Sequence, residues 1–209
     1  MKKLLFLIAS LAASFSFGQN FKASEYTKGV YETYEDFRSK TPSSDPKLSE
    51  AYSTDNTAYR FDNLDNKGKR EKKAFAISDG KGNLYIHIIN LIKKFNADDR
   101  GQGVDGGIYY LKAKNVGGYL FVKDYFTSNS AAMWGGLIAA AAARREKVAI
   151  FEEEKESFNL FKNTDDFKKF MEVSYPNISL ELEKQGKGDG KESEAQVIER
   201  NLAKITPTS

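Results

Sequence analysis

The sequence predicts a single α+β domain, with a mostly antiparallel sheet or partial barrel and two or three helices packed against it. Three observations support this fold class. Apolar residues alternate on both sides of glycine-rich turns, as they do in β-hairpins. The segment before Pro176 carries apolar residues at helical spacing. Aromatic residues make up 13% of the 209-residue chain, enough to supply large surfaces for a folded core.

Three hairpins are predicted from this alternation. The clearest joins residues 74–78 to 84–89, because the glycines between them tolerate the positive φ angles of a tight turn. The second joins 108–114 to 119–125, and the third joins 148–151 to 158–161 across an acidic turn. An earlier short strand at residues 29–31 is followed by a helix that Thr33 and Asp36 would cap.

Two longer helices are predicted near the carboxyl end of the chain. One begins at Thr164, where Asp165 and Asp166 favour the positive end of a helix dipole, and it ends before Pro176. The other is capped by Ser193 and carries one apolar stripe. The residues of that stripe are Ala195, Ile198, Leu202 and Ile205. Between the helices, residues 178–182 alternate like a short strand.

The amino terminus has the composition of a secretory signal peptide. Lys2 and Lys3 precede an apolar run over residues 4–13, and small residues lead to a predicted cleavage site before Gln19. The run is too short to span a bilayer as a helix. The expected organisation is a signal peptide at 1–18, an α+β domain at 19–185, a flexible glycine-lysine linker at 186–192, and a C-terminal helix at 193–209, packed or free.

Charge and cysteine usage narrow the expected location and partners. The chain has 32 Lys and Arg against 29 Asp and Glu, and loss of the leader removes two lysines, so the mature protein is almost neutral. Nucleic-acid binding is therefore not expected. The chain has no cysteine, which excludes a lipid-anchored cysteine and disulfides. The periplasm is predicted in preference to the extracellular space.

Residues 131–143 form an uncharged, alanine- and glycine-rich stretch with two interpretations. On a helix, four large apolar residues fall on one face and small residues recur every fourth position on another. The four are Met133, Trp134, Leu137 and Ile138. The stretch is either a helix buried in the domain core or a surface for membrane association or self-association.

No catalytic, cofactor-binding or metal-ligating residue is assigned from the sequence. His87 is the chain's one histidine, so the usual zinc sites cannot be built, and a structural hydrogen bond is its favoured role. Glycines at 101, 103 and 106 have the spacing of a dinucleotide-binding turn but lack its strand-to-helix context. The remaining weak candidates for ligand binding are His87, Asp98, Asp99, Asp105 and Trp134.

Several parts of the chain carry a family resemblance. They are the leader ending before Gln19, the run Gly29, Val30, Tyr31, Thr33, Tyr34, Phe37, Pro42, and the hairpin Ser78, Asp79, Gly80 with Leu84, Tyr85, Ile86. In these residues the chain resembles uncharacterised exported proteins of Bacteroidetes-type bacteria. The resemblance extends to the helix before Pro176 and implies no established activity.

The leading functional hypothesis is an exported, non-catalytic binding or structural protein whose ligand is not specified. It rests on the leader, the near-neutral charge and the lack of a reactive constellation of residues. One alternative is a membrane-associated or self-assembling envelope protein that acts through residues 131–143. A second alternative is an unrecognised hydrolase, because carboxylates are abundant and the sequence cannot place two of them across a cleft.

Overall fold

The structure is a computed structural model that describes residues 20–53, 58–97, 102–103, 109–128 and 145–205. The predicted leader and the predicted helix over residues 131–143 lie outside these ranges.

The chain forms an α+β domain with antiparallel sheets, as the sequence predicts, and the described strands do not close into a barrel. The strands are β1 (Gly29–Tyr31), β2 (Tyr52–Ser53), β3 (Ala58–Arg60), β4 (Asp62–Asn63), β5 (Lys69–Arg70), β6 (Ala76–Ser78), β7 (Leu84–His87), β8 (Gln102–Gly103), β9 (Tyr110–Lys112), β10 (Lys114–Val116), β11 (Tyr119–Ser128), β12 (Arg145–Glu152) and β13 (Ser157–Phe161). The first sheet has the order β1-β6-β7-β9-β3-β2. The second has the order β10-β11-β12-β13, with β8 paired to β11, and β4 pairs with β5 alone.

The α-helices begin at side chains that cap them. They are α1 (Tyr34–Arg38), α2 (Thr164–Ser174) and α3 (Glu194–Leu202). Thr33 and Asp36 form the predicted capping box of α1, and Ser193 forms a second box with Gln196 at α3. Asn163 caps α2, so this helix starts where its acidic first turn predicted. Short 3₁₀ turns lie at Ala23–Glu25, Leu64–Asn66 and Gly188–Gly190, and one π-helical turn at Asn90–Lys94.

Aromatic and aliphatic side chains pack in three layers around the two sheets. The inner faces of both sheets meet in the largest core, which includes Tyr31, Ile86 and Phe151 together with α1. The outer face of the second sheet packs against α2 and α3. The outer face of the first sheet packs against an irregular segment that we call the cover, residues 43–51 and 61–74.

Two predicted elements differ in the structure. The second hairpin is shorter than predicted, because β9 pairs with β7 and β3 in the first sheet while only β10 pairs with β11 in the second. The turn itself is as predicted, with positive φ at Gly117 and Gly118. The chain thus crosses between sheets at Ala113, whose N–H donates to the Leu84 carbonyl at 2.8 Å.

The alternating segment at residues 178–182 is not a strand. Asn201 of α3 holds its backbone by accepting from Glu181 N–H at 2.8 Å and donating to the Glu181 carbonyl at 2.9 Å. Ile178, Leu180 and Leu182 pack against the helix-covered core from this irregular segment. A buried asparagine therefore replaces the sheet ladder as the backbone partner.

Candidate binding pocket

The outer face of the first sheet is an apolar surface built by strand register. Val30 lies opposite Ile77, and Ile77 lies opposite Tyr85, so the three side chains form one row across β1, β6 and β7. Alternate residues of the same strands point into the central core. This row would be exposed without the cover.

The cover leaves a cavity of about 390 Å³ between itself and the sheet. Its lining is mixed: polar and charged side chains lie at the mouth, and apolar or aromatic side chains from both sides form the rest. The apolar and aromatic ones are Pro46, Leu48, Ala51, Phe61, Ile77 and Tyr85. This volume falls in the range of roughly 300–1,000 Å³ that is typical of sites for small molecules. The cavity is thus large enough for a compact ligand of one or two rings.

Charged side chains at the mouth of the pocket are paired with one another. Lys28 Nζ lies 2.8 Å from Asp45 Oδ1, and Lys81 Nζ lies 3.5 Å from Glu50 Oε1. Both ion pairs link the cover to the sheet and are largely exposed. Exposed pairs of this kind contribute roughly 0–1 kcal/mol, so they hold the cover only weakly.

The fifth charged side chain at the mouth, Asp79, forms hydrogen bonds within the turn between β6 and β7. Its carboxylate accepts hydrogen bonds from Lys81 N–H at 2.8 Å and from Asn83 Nδ2 at 2.7 Å. Burial raises the pKa of Asp79, but these hydrogen bonds outweigh it and hold the pKa below its ordinary value. Asp79 therefore stays ionised and serves the turn, with its negative charge satisfied by N–H donors.

Tyr85 supplies a neutral phenol to the wall of the pocket. Burial raises the pKa of Tyr85 to about 12, and the negative charge of Asp79 acts in the same direction. Its ring packs edge-on against Phe61 at 5.0 Å and against Tyr59 at 5.1 Å between centroids. The wall is consequently aromatic and uncharged at neutral pH.

His87 lies on the same face of β7 as Tyr85, two residues further along the strand, and is buried. Its Nδ1 accepts a hydrogen bond from Ile89 N–H at 3.2 Å, so the neutral ring carries its proton on Nε2. Burial lowers the pKa of His87 to about 4, although the negative charge of Glu71 opposes this shift. The imidazole is therefore neutral at physiological pH, and it does not line the cavity.

The other predicted binding residues, Asp98, Asp99, Asp105 and Trp134, lie outside the described residues, as do Met133, Leu137 and Ile138. The sequence reasoning missed the pocket itself. The available signal was weak: Ile77 and Tyr85 alternate with core residues of their strands. The apolar anchors Leu48 and Ala51 stand in an otherwise polar loop.

Within the described ranges, no cluster of three or more His, Cys, Asp or Glu side chains is arranged to hold a metal ion. None of the described helices has the length and apolar character required to cross a membrane.

The fold and pocket define an α+β protein with a ligand-sized pocket, partly aromatic and partly polar, under an irregular cover. Residues 29–174 match the model of a family of unknown function, DUF6563, and because the match spans more than half of the chain, the protein belongs to this family. Among the curated proteins and solved structures compared, none matches the chain. The matched region runs from β1 to the end of α2, so it includes every apolar residue that lines the pocket.

Proposed function

We propose that this protein is an exported binding protein that takes a small, uncharged, partly aromatic molecule into the pocket beneath its cover. The observation that carries the proposal is the cavity of about 390 Å³, lined by apolar side chains from the sheet and the cover. Pockets of this volume with a partly aromatic wall are typical of ligand sites, so the cavity favours a role in binding over a purely structural role.

The electrostatics of the pocket favour an uncharged ligand. Two lysines and three carboxylates surround the mouth, and their partners are already provided by the two ion pairs and by the hydrogen bonds to Asp79. A charged ligand would lose its hydration at an apolar wall without gaining a new counter-charge. A neutral ring instead gains burial against Phe61 and Tyr85.

Export is supported by the amino-terminal leader, with its two lysines, short apolar run and small residues before Gln19. Soon after the predicted cleavage site, Phe21 is buried and its N–H donates to the Gly118 carbonyl at 2.8 Å. Cleavage before Gln19 would therefore keep this contact in the mature protein. Intact-mass measurement of protein from the native cell should find Gln19 as the first residue, and retention of Met1–Gly18 would contradict export.

Ligand preference can be tested with three molecules that share one ring system. Indole is neutral, indole-3-acetate is an anion, and tryptamine is a cation at neutral pH. Indole should bind most tightly, and at about 100 times its Kd it should stabilise the protein by ~2.7 kcal/mol in thermal unfolding. Equal or tighter binding of either charged analogue would contradict the proposed ligand class.

A filled pocket provides the matched control. Ala51→Phe adds a ring to the pocket lining, whereas Val173→Phe adds the same ring at an exposed position on α2. Ala51→Phe should abolish indole binding while the protein stays folded by circular dichroism. Val173→Phe should bind indole as the wild type does, and loss of binding in both variants would place the ligand elsewhere.

A further inference from the structure

Two buried polar atoms lie behind the aromatic wall of the pocket. His87 Nε2 and Tyr110 Oη have no hydrogen-bond partner among the described residues, and the two side chains are 3% and 0% exposed. The residues face each other across β7 and β9, with their rings edge-on at 4.9 Å between centroids. Buried polar atoms in folded proteins are normally hydrogen-bonded, so two adjacent exceptions call for a partner.

The surrounding backbone approaches this pair without satisfying it. The backbone of Lys72 lies near His87 and raises its pKa, and the backbone of Ala74 lies near Tyr110 and lowers its pKa, as weak polar contacts would. Neither contact has the geometry of a hydrogen bond. The Glu71 carboxylate is itself engaged by the backbone N–H groups of Lys72 and Lys73, both at 2.9 Å.

Phe61 connects this pair to the pocket. Its ring contacts Tyr85 on the pocket side at 5.0 Å and Tyr110 at 5.7 Å between centroids, both edge-on. Phe61 also lines the cavity while remaining 2% exposed. One aromatic ring therefore separates the apolar cavity from the two unpartnered polar atoms.

We propose that His87 and Tyr110 form an inner polar site behind Phe61 that binds a neutral hydroxyl group of the molecule held in the pocket. This inference rests on the proposed binding function and refines its ligand class to hydroxylated rings. The same site binds the hydroxyl of a water molecule when no ligand occupies the pocket. A rotation of Phe61 about its side-chain bonds would open the route between cavity and site.

The chemistry of the site selects for a neutral oxygen. Because Nδ1 of His87 already accepts from Ile89, Nε2–H is available as a donor, and the Tyr110 hydroxyl can donate or accept. A hydroxyl can accept from the first and exchange a hydrogen bond with the second. The negative charge of Glu71 acts on both residues, which disfavours a carboxylate or phenolate in this position.

The first experiment is the variant Tyr110→Phe in the ligand-free protein. If the hydroxyl binds water as proposed, Tm should fall by roughly 2–4 °C, the loss of about one hydrogen bond. Tyr31→Phe is the matched control, since the Tyr31 hydroxyl donates to the Thr27 carbonyl at 2.7 Å. A Tm that stays constant or rises in Tyr110→Phe would show a hydroxyl without any partner and would overturn the inner site.

The second experiment compares phenol with toluene, which have the same ring and differ in the hydroxyl. His87 is the chain's single histidine, so its imidazole nitrogens give one unambiguous pair of NMR signals. Both probes should shift the methyl signals of Leu48 and Ile77, but only phenol should shift His87 Nε2. Phenol should also bind roughly fivefold more tightly, and Tyr110→Phe should remove this preference.

The outcomes separate the inner site from the pocket. If both probes shift the pocket methyls but bind equally and leave His87 unchanged, the inner site is wrong and the pocket proposal stands. If neither probe shifts the methyls, the proposed function fails. The inner site then fails as a ligand site together with it, and Tyr110→Phe shows only whether the two polar atoms bind water.

Discussion

The two sheets have outer faces that are covered in different ways. The outer face of the second sheet is covered by α2 and α3, whose buried residues Phe167, Met171 and Leu202 fill the space above β11 and β12. The outer face of the first sheet is covered by short strands, turns and irregular backbone. The pocket lies on this second kind of face, beside the adjacent pair of unpartnered atoms His87 Nε2 and Tyr110 Oη; among the described side chains, β12 of the second sheet carries a single such atom, Glu152 Oε1.

The difference follows from how the helices and the cover each form the hydrogen bonds of their own backbone. A helix bonds its N–H and C=O groups internally, so an entire apolar stripe is free to pack on the sheet. The cover instead pairs its parts with one another, as in the bonds Ser49 N–H to Asp62 O and Leu64 N–H to Lys47 O, both 2.8 Å. A segment of this kind contacts the sheet through single apolar side chains, and space for a ligand remains between them.

The largest expected effect comes from removing one buried phenylalanine from each face. Phe167→Ala should lower the free energy of unfolding by about 4 kcal/mol, because the fully buried ring leaves a cavity in a filled core. Phe61→Ala should lower the free energy of unfolding by at least ~1 kcal/mol less than Phe167→Ala does, since the Phe61 ring already borders the pocket. Denaturant unfolding measures both, and equal losses would contradict the comparison.

The next effect is a pH dependence specific to the first sheet. The folded-state pKa of His87 is about 4, below the ordinary 6.5, because the neutral ring is buried. Between these values the unfolded chain binds a proton that the folded chain does not, so stability falls as pH drops from 6.5 to 4. The loss should reach about 3 kcal/mol and level off below pH 4.

His87→Gln isolates this contribution, because Gln keeps a polar side chain that does not titrate. The difference in unfolding free energy between wild type and variant should shrink as pH falls through that window. Tyr110 and Glu71, the groups that face His87, remain in both proteins. A difference that is constant with pH would show that His87 is not held neutral by burial.

A smaller effect on stability distinguishes Ser193, which caps α3, from Ser49, which lies in the cover. Ser193 caps α3 by accepting from Gln196 N–H at 3.2 Å, and Ser193→Ala should lower global stability by about 1 kcal/mol. Ser49 accepts from Asp62 N–H at 2.9 Å within the cover. Ser49→Ala should mainly accelerate hydrogen exchange of residues 45–51, and a purely global effect there would contradict a weakly held cover.

The smallest effect concerns the ion pairs at the mouth of the pocket. Asp45→Asn removes the partner of Lys28 and should change global stability by less than ~1 kcal/mol. Hydrogen exchange of the cover should become faster in the variant and less sensitive to added salt than in the wild type. Glu172→Gln is the control, because its ion pair with Lys168 lies within α2. Unchanged exchange in Asp45→Asn would show that the pair does not hold the cover.

Local sequence patterns predicted most of the fold. The hairpin of β6 and β7, the hairpin of β12 and β13, and the three helices follow from turn residues, capping residues and apolar spacing. The prediction of the second hairpin was partly wrong, because alternation of apolar residues does not show which sheet a strand joins. β9 and β10 are separated by one residue, Ala113, and enter different sheets.

What the sequence by itself determined is the local structure: the fold class, the position of most turns and caps, and the alternation that places His87 and Tyr85 on one face of a strand. Tertiary structure decided the pocket, because its wall joins residues as distant in sequence as Leu48, Phe61 and Tyr85. It also decided that His87 Nε2 and Tyr110 Oη are buried together. Whether a cover fills the space above a sheet depends on three-dimensional packing between distant segments, which local periodicity does not encode.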